Sequence, residues 1–231
     1  MTKKKCHINE CLHIDGHKIV SKQSVVLLGV VIDDKRKFKE FISELCKRAA
    51  NQLNSLYRFR SYLNEYTRKM SVYSFAMSNF SYCPLVWHFC SAESNNKLEQ
   101  IRKRALKFIG TESLCDKLQT PFQIQRLRVL AIEIFKTLND LNPIYMKSIF
   151  NQSGNSVRNC KNLVSQAVEQ VTYGKRSLRF LGPILWNSLP KQAKDITDIS
   201  EFKNFMNHWG IPNCPFYEKF GIYCTSIDYR Y

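Results

Sequence analysis

The chain has 231 residues, of which 44% are hydrophobic, and 35 Lys and Arg residues against 19 Asp and Glu residues give a net charge of +16. This apolar content is enough for a folded core and excludes a disordered chain. The positive charge is spread over several segments, which favours a polyanionic partner, most simply nucleic acid, over an anionic membrane surface. The sequence has no run of about 18 apolar residues that could span a membrane, and its N-terminus, MTKKKCHINE, lacks the apolar stretch of a secretory signal.

The nine cysteines are scattered and form no CxxC pair. This pattern predicts a reduced intracellular protein, in the nucleus or the cytoplasm, with buried free thiols. Cys83, His88 and Cys90 lie close together, but a zinc site needs four ligands, usually in paired short spacings, and no fourth ligand follows at such a spacing. Cys214 and Cys224 in the tail are also too few. The sequence therefore predicts no metal site, and we expect His88 to be a hydrogen-bonded packing residue.

The first 34 residues carry β-strand signals. Asp15-Gly16 separates CLHI from HKIV, which is typical of a hairpin with a type I′ turn. The apolar run Val25–Ile32 is short and β-branched, and it predicts one buried strand. Asp33 and Asp34 follow this run, and such a pair can hold the Mg²⁺ ions of a polymerase. Because the basic sequence KRK comes next, we instead expect the two carboxylates to form a turn and cap the following helix.

Two amphipathic helices are predicted next, from Phe38 to about Arg58 and from about Glu65 to Ser78. The apolar face of the first consists of Phe38, Phe41, Ile42, Leu45, Ala49, Leu53 and Leu56. Arg36, Lys47 and Arg58 lie roughly opposite this face. In the second helix, Tyr66, Met70, Tyr73 and Met77 are spaced as the edge of a core. A base-stacking surface would show the same stripe, but we expect these residues to pack inside the protein.

A third helix has a basic face and follows an aromatic segment. We predict that Ser94 caps its start and that Gly110 ends it. Its apolar face consists of Leu98, Ile101, Ala105, Leu106 and Ile109. Its opposite stripe consists of Gln100, Lys103, Arg104 and Lys107. These three cations either form a solvated face or contact a phosphate backbone, and the charge of the whole chain favours the second interpretation.

The second half of the chain begins with a predicted buried helix that ends near Asn139. Thr120 is expected to cap it, with Pro121 at the first helical position and Gln123 completing a capping box. A short helical turn is predicted up to Phe150, and the polar residues 151–162 predict a loop and a possible subdomain boundary. Asp198 and Glu201 have the spacing of a helix start, which predicts a final helix.

A second basic segment precedes that final helix. Its cations are Lys175, Arg176 and Arg179, and they are interleaved with Tyr173, Phe180 and Trp186. This pattern is typical of backbone contact combined with base stacking. The edge of a packed helix would show the same pattern, so both interpretations stay open.

Several blocks of the sequence together resemble the C-terminal part of the reverse transcriptase of non-LTR retrotransposons of the LINE, Jockey-like type. The blocks are IDGHKIVSKQSVVLLGVVIDDKRKFKEFISELCKRAANQLNSLYR, NFSYCPLVWHFCSAESNNKLEQIRKRALKFI, LRVLAIEIFKTLNDLNP, YGKRSLRFLGPILWNSLP and ISEFKNFMNHW. They follow the order of the family and cover nearly all of residues 13–209.

The resemblance implies a mainly α fold in three parts. Residues 1–34 would be the β-strand edge of a polymerase palm, and residues 35–150 a thumb-like helical domain. Residues 151–231 would be a C-terminal segment with the final helix and a tail rich in Cys and aromatic residues. The thumb of such enzymes holds the template–primer duplex, and the C-terminal segment helps to bind element RNA.

The family's catalytic motif is an aromatic-x-Asp-Asp turn with another Asp upstream, and neither lies in this chain. Asp33 and Asp34 fall downstream of where the catalytic pair would be. The resemblance therefore implies a truncated reverse transcriptase without catalytic residues, metal ligands or cofactor, because Mg²⁺ is expected only for the full-length polymerase.

The expected activity of this part is binding of RNA or an RNA–DNA duplex through phosphates. The cations that we expect to carry it are Lys47, Arg58, Lys103, Arg104 and Lys107, with Lys175, Arg176 and Arg179 as a second patch. The palm and fingers of the polymerase are a further expected partner. Two alternatives stay open, namely an inactive relic and a domesticated scaffold that binds proteins.

Overall fold

The computed structural model describes residues 12–19, 22–110, 120–150, 162–164 and 177–208. In these residues the fold is mainly α, as the sequence predicts, with two small β-hairpins near the N-terminus. The loop predicted over 151–162 and the tail with Cys214 and Cys224 lie outside the described residues, apart from residue 162.

The first hairpin confirms its prediction. Strand β1 (Leu12–Ile14) pairs antiparallel with β2 (His17–Ile19). The turn residues Asp15 and Gly16 have φ angles of 49° and 79°. Positive φ at both central residues is what a type I′ turn requires.

The single buried strand predicted over Val25–Ile32 is wrong, because the apolar run folds into a second hairpin. Strands β3 (Ser24–Leu27) and β4 (Val30–Asp33) pair antiparallel, and Leu28 and Gly29 reverse the chain with φ angles of 48° and 78°. Val30 is buried, whereas the side chains from Val25 to Leu28 are 56% to 82% exposed. The turn was not visible in the sequence because Leu28 continues the apolar run.

The chain then turns into the first helix, and Asp33 directs this turn. Its Oδ1 accepts a hydrogen bond from the Lys37 amide at 2.6 Å, and its carbonyl accepts one from the Arg36 amide. The predicted turn is therefore confirmed. The predicted cap is wrong, since Phe38 occupies the N-cap position and makes no side-chain hydrogen bond there.

A first hydrophobic core forms around helices α1 (Lys39–Tyr57) and α3 (Ala92–Ile109). The predicted apolar face of α1 is buried, with Leu56 partly so. In α3, Gly110 ends the helix with φ of 81°, as predicted. The predicted N-cap is wrong: Ser91 caps α3 by accepting a hydrogen bond from the Ser94 amide at 3.2 Å, and Ser94 is buried inside the helix.

Helix α2 (Glu65–Ser71) continues into a π-helical segment, Val72–Ala76, and then a 3₁₀ segment, Met77–Ser81. The predicted core edge is only partly correct, since Met77 is buried but Tyr66 and Met70 are 72% and 47% exposed. The core contacts come mainly from Val72, Ala76, Met77 and Phe80. A π-helical turn is wider than an α-turn, so it changes which positions face α1, and a strict 3.6-residue spacing misses this.

Helix α4 (Phe122–Leu138) confirms the predicted buried helix, but not its predicted cap. Pro121 stands at the N-cap position and no side chain caps the helix from there. The Phe122 amide instead donates to Glu99 Oε1 of α3 at 2.7 Å. The start of α4 is thus fixed by a carboxylate from a distant part of the sequence.

A second hydrophobic core joins α4 to α5 (Leu178–Ser188) and α7 (Ile199–His208), with the short helix α6 (Lys191–Asp195) between them. The Phe135 and Phe202 rings stack at 4.3 Å, and Trp186 is 1% exposed. The predicted helical turn before Phe150 is a 3₁₀ helix, Ile144–Ile149. The predicted start of the final helix is confirmed, because Asp198 Oδ2 accepts from the Glu201 amide at 2.8 Å.

Candidate nucleic-acid interface

Helices α1 and α3 lie side by side and run in the same direction. Lys39 and Glu93 form an ion pair at 3.2 Å near the two N-termini. Tyr57 and Phe108 form an edge-to-face ring pair at 4.9 Å near the two C-termini. The C-terminal halves of the two helices are therefore neighbours, and together with Arg58, just past the end of α1, they carry four of the five cations predicted for the first patch.

Two basic stripes meet along this helix pair. Helical spacing places Lys47, Asn51, Asn54 and Arg58 on one stripe of α1, and all four are exposed. The α3 stripe contains Lys103, Arg104 and Lys107. Arg104 connects the stripes, because its guanidinium donates a hydrogen bond to Asn54 Oδ1. We call this combined surface the α1–α3 face, and it brings together the five cations predicted for the first patch.

The five cations have different environments. Lys47, Arg58, Lys103 and Lys107 are exposed. Arg104 is half-buried, with its guanidinium 5.7 Å from the centre of the Tyr57 ring, and the Tyr57 hydroxyl donates to the Arg104 carbonyl at 3.4 Å. Arg104 therefore holds the two helices together, while the four exposed cations are available to an anionic partner.

Acidic residues are concentrated at the opposite end of the helix pair. Glu40 and Glu44 lie in the first half of α1, and Glu93 and Glu99 in the first half of α3. From Leu45 to Ala92 the sequence contains one acid, Glu65, and none occurs from residue 100 to residue 110. Two of the acids are already engaged, since Glu93 pairs with Lys39 and Lys97 and Glu99 pairs with Arg102. The α1–α3 face is consequently positive toward its C-terminal end.

Two arginines that the sequence analysis did not single out complete this end. Arg60 donates from Nε to the Phe108 carbonyl at 3.2 Å and from Nη2 to the Lys107 carbonyl at 3.5 Å. Arg68 donates from Nη1 to the Phe108 carbonyl at 3.5 Å. The last carbonyls of a helix lack intrahelical partners and carry partial negative charge, so both contacts stabilise the end of α3. The near absence of acids between Leu45 and Ala92 was the signal that could have drawn attention to this region.

The second predicted patch is described only in part. Lys175 and Arg176 lie outside the described residues, and so does Tyr173. Arg179 is exposed on α5. Phe180 and Trp186, whose rings were candidates for base stacking, are 9% and 1% exposed and belong to the interior. Stacking by these two rings is therefore excluded, and the packed-helix interpretation holds for α5.

The Cys83, His88 and Cys90 segment packs against a buried cation instead of forming a cluster of three ligands. Arg126 is 2% exposed, and its guanidinium lies 4.8 Å from the centre of the Trp87 ring. It donates to Asn95 Oδ1 at 2.5 Å and approaches Cys90 Sγ at 3.9 Å. Within the described ranges, no group of three or more His, Cys, Asp and Glu side chains could hold a metal ion.

His88 is buried in this segment, as expected, and its ring lies edge to face with Phe89 at 4.9 Å. Burial and the nearby charge of Arg126 lower the pKa of His88 from 6.5 to about 3. The expected hydrogen bonding is not seen at Nδ1, which has no partner among the described residues. The ring is therefore a neutral packing group and is not suited to be a general base near neutral pH.

A cavity of about 480 Å³ lies beside Arg126, between the 3₁₀ segment Met77–Ser81 and the first turns of α4. Its walls include Tyr73, Pro84, Trp87, Phe122 and Val129, so the lining is mostly apolar. The cavity lies where the two hydrophobic cores meet, since Phe122 belongs to the first and the next buried turn of α4 to the second.

Comparisons with known proteins found no match: no protein-family model matches this chain, and no curated protein or solved structure is detectably similar to it. In the part of the chain that the structure describes, no helix is both long and apolar enough to cross a membrane.

Proposed function

We propose that this chain binds the phosphate backbone of RNA or of an RNA–DNA duplex through the α1–α3 face, as the thumb-like and C-terminal part of a retrotransposon reverse transcriptase would. The observation that carries the proposal is the meeting of the two basic stripes next to a long segment with a single acid. A polyanion gains from such a surface because each phosphate that is neutralised releases condensed counterions. Backbone contacts of this kind carry no sequence information, so the binding is weakly sequence-specific.

The polymerase chemistry of such an enzyme requires metal-binding carboxylates that the resemblance places outside this sequence. The contribution of the chain is accordingly to hold the template–primer, with no catalytic residue of its own. Lys47, Arg58, Lys103 and Lys107 contact phosphates, while Arg104 fixes the distance between the two helices that carry them.

The test measures binding of a labelled RNA–DNA duplex across a salt series. The variant is Lys103→Ala combined with Lys107→Ala, because both side chains are exposed and the fold should tolerate their loss. The matched control is Lys191→Ala combined with Lys203→Ala, which removes two exposed lysines from α6 and α7. We expect the first pair to lower the slope of log K against log salt by about 1 to 2, and the control to leave it nearly unchanged. Equal effects of the two pairs would mean that only net charge matters.

A second candidate function, docking onto another protein surface, is favoured by the β3–β4 hairpin. Val25, Val26, Leu27 and Leu28 are exposed in succession, so both faces of β3 present apolar groups to solvent. The hairpin is held in place, since the Tyr82 hydroxyl donates to the Leu28 carbonyl at 2.6 Å. An ordered apolar surface of this kind is typical of an interface, and we propose that it packs against the rest of a polymerase palm.

The docking proposal predicts that the exposed apolar side chains of this hairpin bind apolar molecules and promote self-association of the isolated chain. Val26→Thr combined with Leu28→Ser should lower binding of an apolar fluorescent dye and reduce concentration-dependent association in sedimentation, with the helical content unchanged. Ile144→Ser is the control, because Ile144 is 83% exposed on the 3₁₀ helix of the second core. The docking proposal fails if the hairpin variant and the control behave alike.

A further inference from the structure

An aromatic corner lies at the C-terminal end of the α1–α3 face, where the chain passes from α1 to α2. Phe59, Tyr62 and Tyr66 are 58%, 85% and 72% exposed. Arg58 and Arg60 flank Phe59 in the sequence, whereas Tyr66 follows Glu65. Exposed rings beside cations differ from the buried rings of α5, because their π-faces are open to a ligand.

The corner is an ordered platform. The Tyr62 amide donates to the Phe59 carbonyl at 3.0 Å in a 3₁₀ turn, and Asn64 caps α2 by accepting from the Thr67 amide at 2.8 Å. Arg60 and Arg68, on either side of Tyr62, both bind the last carbonyls of α3. The same turn of α3 carries Lys107, so rings and phosphate-binding cations are fixed to one another. A platform whose backbone is already ordered loses little entropy when a ligand binds.

We propose that this corner stacks the bases of a single-stranded nucleic acid segment that continues from a duplex bound on the α1–α3 face, which extends the proposed function and rests on it. Bases inside a duplex are stacked on one another, whereas a single strand can place its bases on aromatic side chains. The surrounding charge suits this ligand, because Glu65 is the one acid between Leu45 and Ala92. The expected ligand is thus the single strand that adjoins a duplex, with the duplex on the basic stripes and the strand on the rings.

The test compares three labelled probes of equal length: a single-stranded RNA, the same backbone with abasic sites, and a blunt RNA–DNA duplex. We expect Tyr62→Ala to weaken binding of the base-bearing strand by about 5- to 150-fold and to leave the other two probes nearly unchanged. Tyr62→Phe keeps the ring and should retain the binding. Tyr145→Ala is the matched control, because Tyr145 is 69% exposed on the 3₁₀ helix of the second core, and it should have no effect.

The outcomes separate this inference from the proposal on which it rests. If the duplex binds in a salt-dependent way that requires Lys103 and Lys107, but abasic and base-bearing strands bind equally well, base stacking is overturned and the backbone proposal stands. The rings would then be available to a protein partner. If no probe binds to the folded chain, both proposals are overturned.

Discussion

Two regions carry a similar sequence pattern of cations and aromatic residues, but the aromatic rings are exposed in one region and buried in the other. In the aromatic corner, Phe59 and Tyr62 are exposed beside Arg58 and Arg60. In α5, Arg179 is exposed, but Phe180 and Trp186 are buried, and Trp186 belongs to the second core. The corner lies where one helix ends and the next begins, whereas the rings of α5 lie on the buried face of a continuous helix. A sequence pattern of cations and aromatic residues can therefore form a base-stacking surface only where the local structure leaves the rings exposed to solvent.

The largest expected effect tests the buried half of this comparison. Trp186→Ala should lower the free energy of unfolding by about 3–5 kcal/mol, because it opens a cavity in a packed interior. Tyr62→Ala should change it by less than about 0.5 kcal/mol, since the ring is 85% exposed. Urea denaturation of both variants measures the difference. Similar losses for the two would contradict the assignment of one ring to the interior and the other to the surface.

A pH titration tests whether the interior around His88, between Trp87 and Cys90 of the first hydrophobic core and their neighbours, excludes water. Because the folded pKa of His88 is about 3, the unfolded chain takes up a proton below pH 6.5 that the folded protein does not. Unfolding free energy should therefore fall between pH 6.5 and about pH 3, by about 2 kcal/mol from pH 7 to pH 5. In His88→Gln this part of the pH dependence should disappear. A wild-type titration that His88→Gln leaves unaltered would show that His88 is hydrated.

Gly182 provides a test of the close packing around α5. In an open helix, Gly→Ala stabilises by about 0.5–1 kcal/mol. A Cβ at Gly182, however, would overlap the Phe150 ring, with a second ring atom at 3.1 Å. We expect Gly182→Ala to lower the unfolding free energy by about 1–2 kcal/mol because overpacking outweighs the helix preference. Combining it with Phe150→Leu should recover part of the loss, and thermal unfolding of the single and double variants measures this.

The smallest expected effect concerns the end of α3 that supports the aromatic corner. Gly110 has φ of 81°, and a Cβ there would lie 3.2 Å from Arg68 Nη1 and 3.4 Å from Arg60 Nη2. Gly110→Ala should cost about 1 kcal/mol, chiefly from the left-handed backbone. If the corner stacks bases, the variant should also weaken binding of the base-bearing RNA more than that of the duplex. Unchanged binding to both probes would mean that a Cβ beside Arg60 and Arg68 does not disturb the aromatic corner.

Several elements could be predicted from local signals, because those signals are strong and agree with the packing. They are the first hairpin with Asp15-Gly16, the apolar face of α1, the end of α3 at Gly110, the body of α4 and the start of α7. In each of these, the short-range chemistry and the tertiary contacts favour the same structure.

Several incorrect predictions arose where a distant group or an irregular backbone determines the local structure. Leu28 adopts a positive φ inside an apolar run, and the π-helical segment Val72–Ala76 alters the spacing of buried residues. Neither has a sequence signature that periodicity detects. For the candidate site, the sequence identified the cations of both stripes. That the stripes adjoin depends on the parallel packing of α1 and α3. The scarcity of acids around Arg60 and Arg68 is visible in the sequence, but their hydrogen bonds to the end of α3 are not.

The hydrogen bond from the Phe122 amide to Glu99 has a consequence for how the molecule folds. A helix capped by its own neighbouring residue can begin to form independently, whereas α4 takes its cap from a helix of the first core. The first turn of α4 is therefore completed only once α3 is in place, and the rest of α4 is the element on which α5 and α7 assemble. Glu99, together with the contacts of Arg126 with Asn95 and Trp87, thus couples the folding of the two cores. We therefore expect loss of structure in the first core to be transmitted to the second as cooperative unfolding instead of stopping at their boundary.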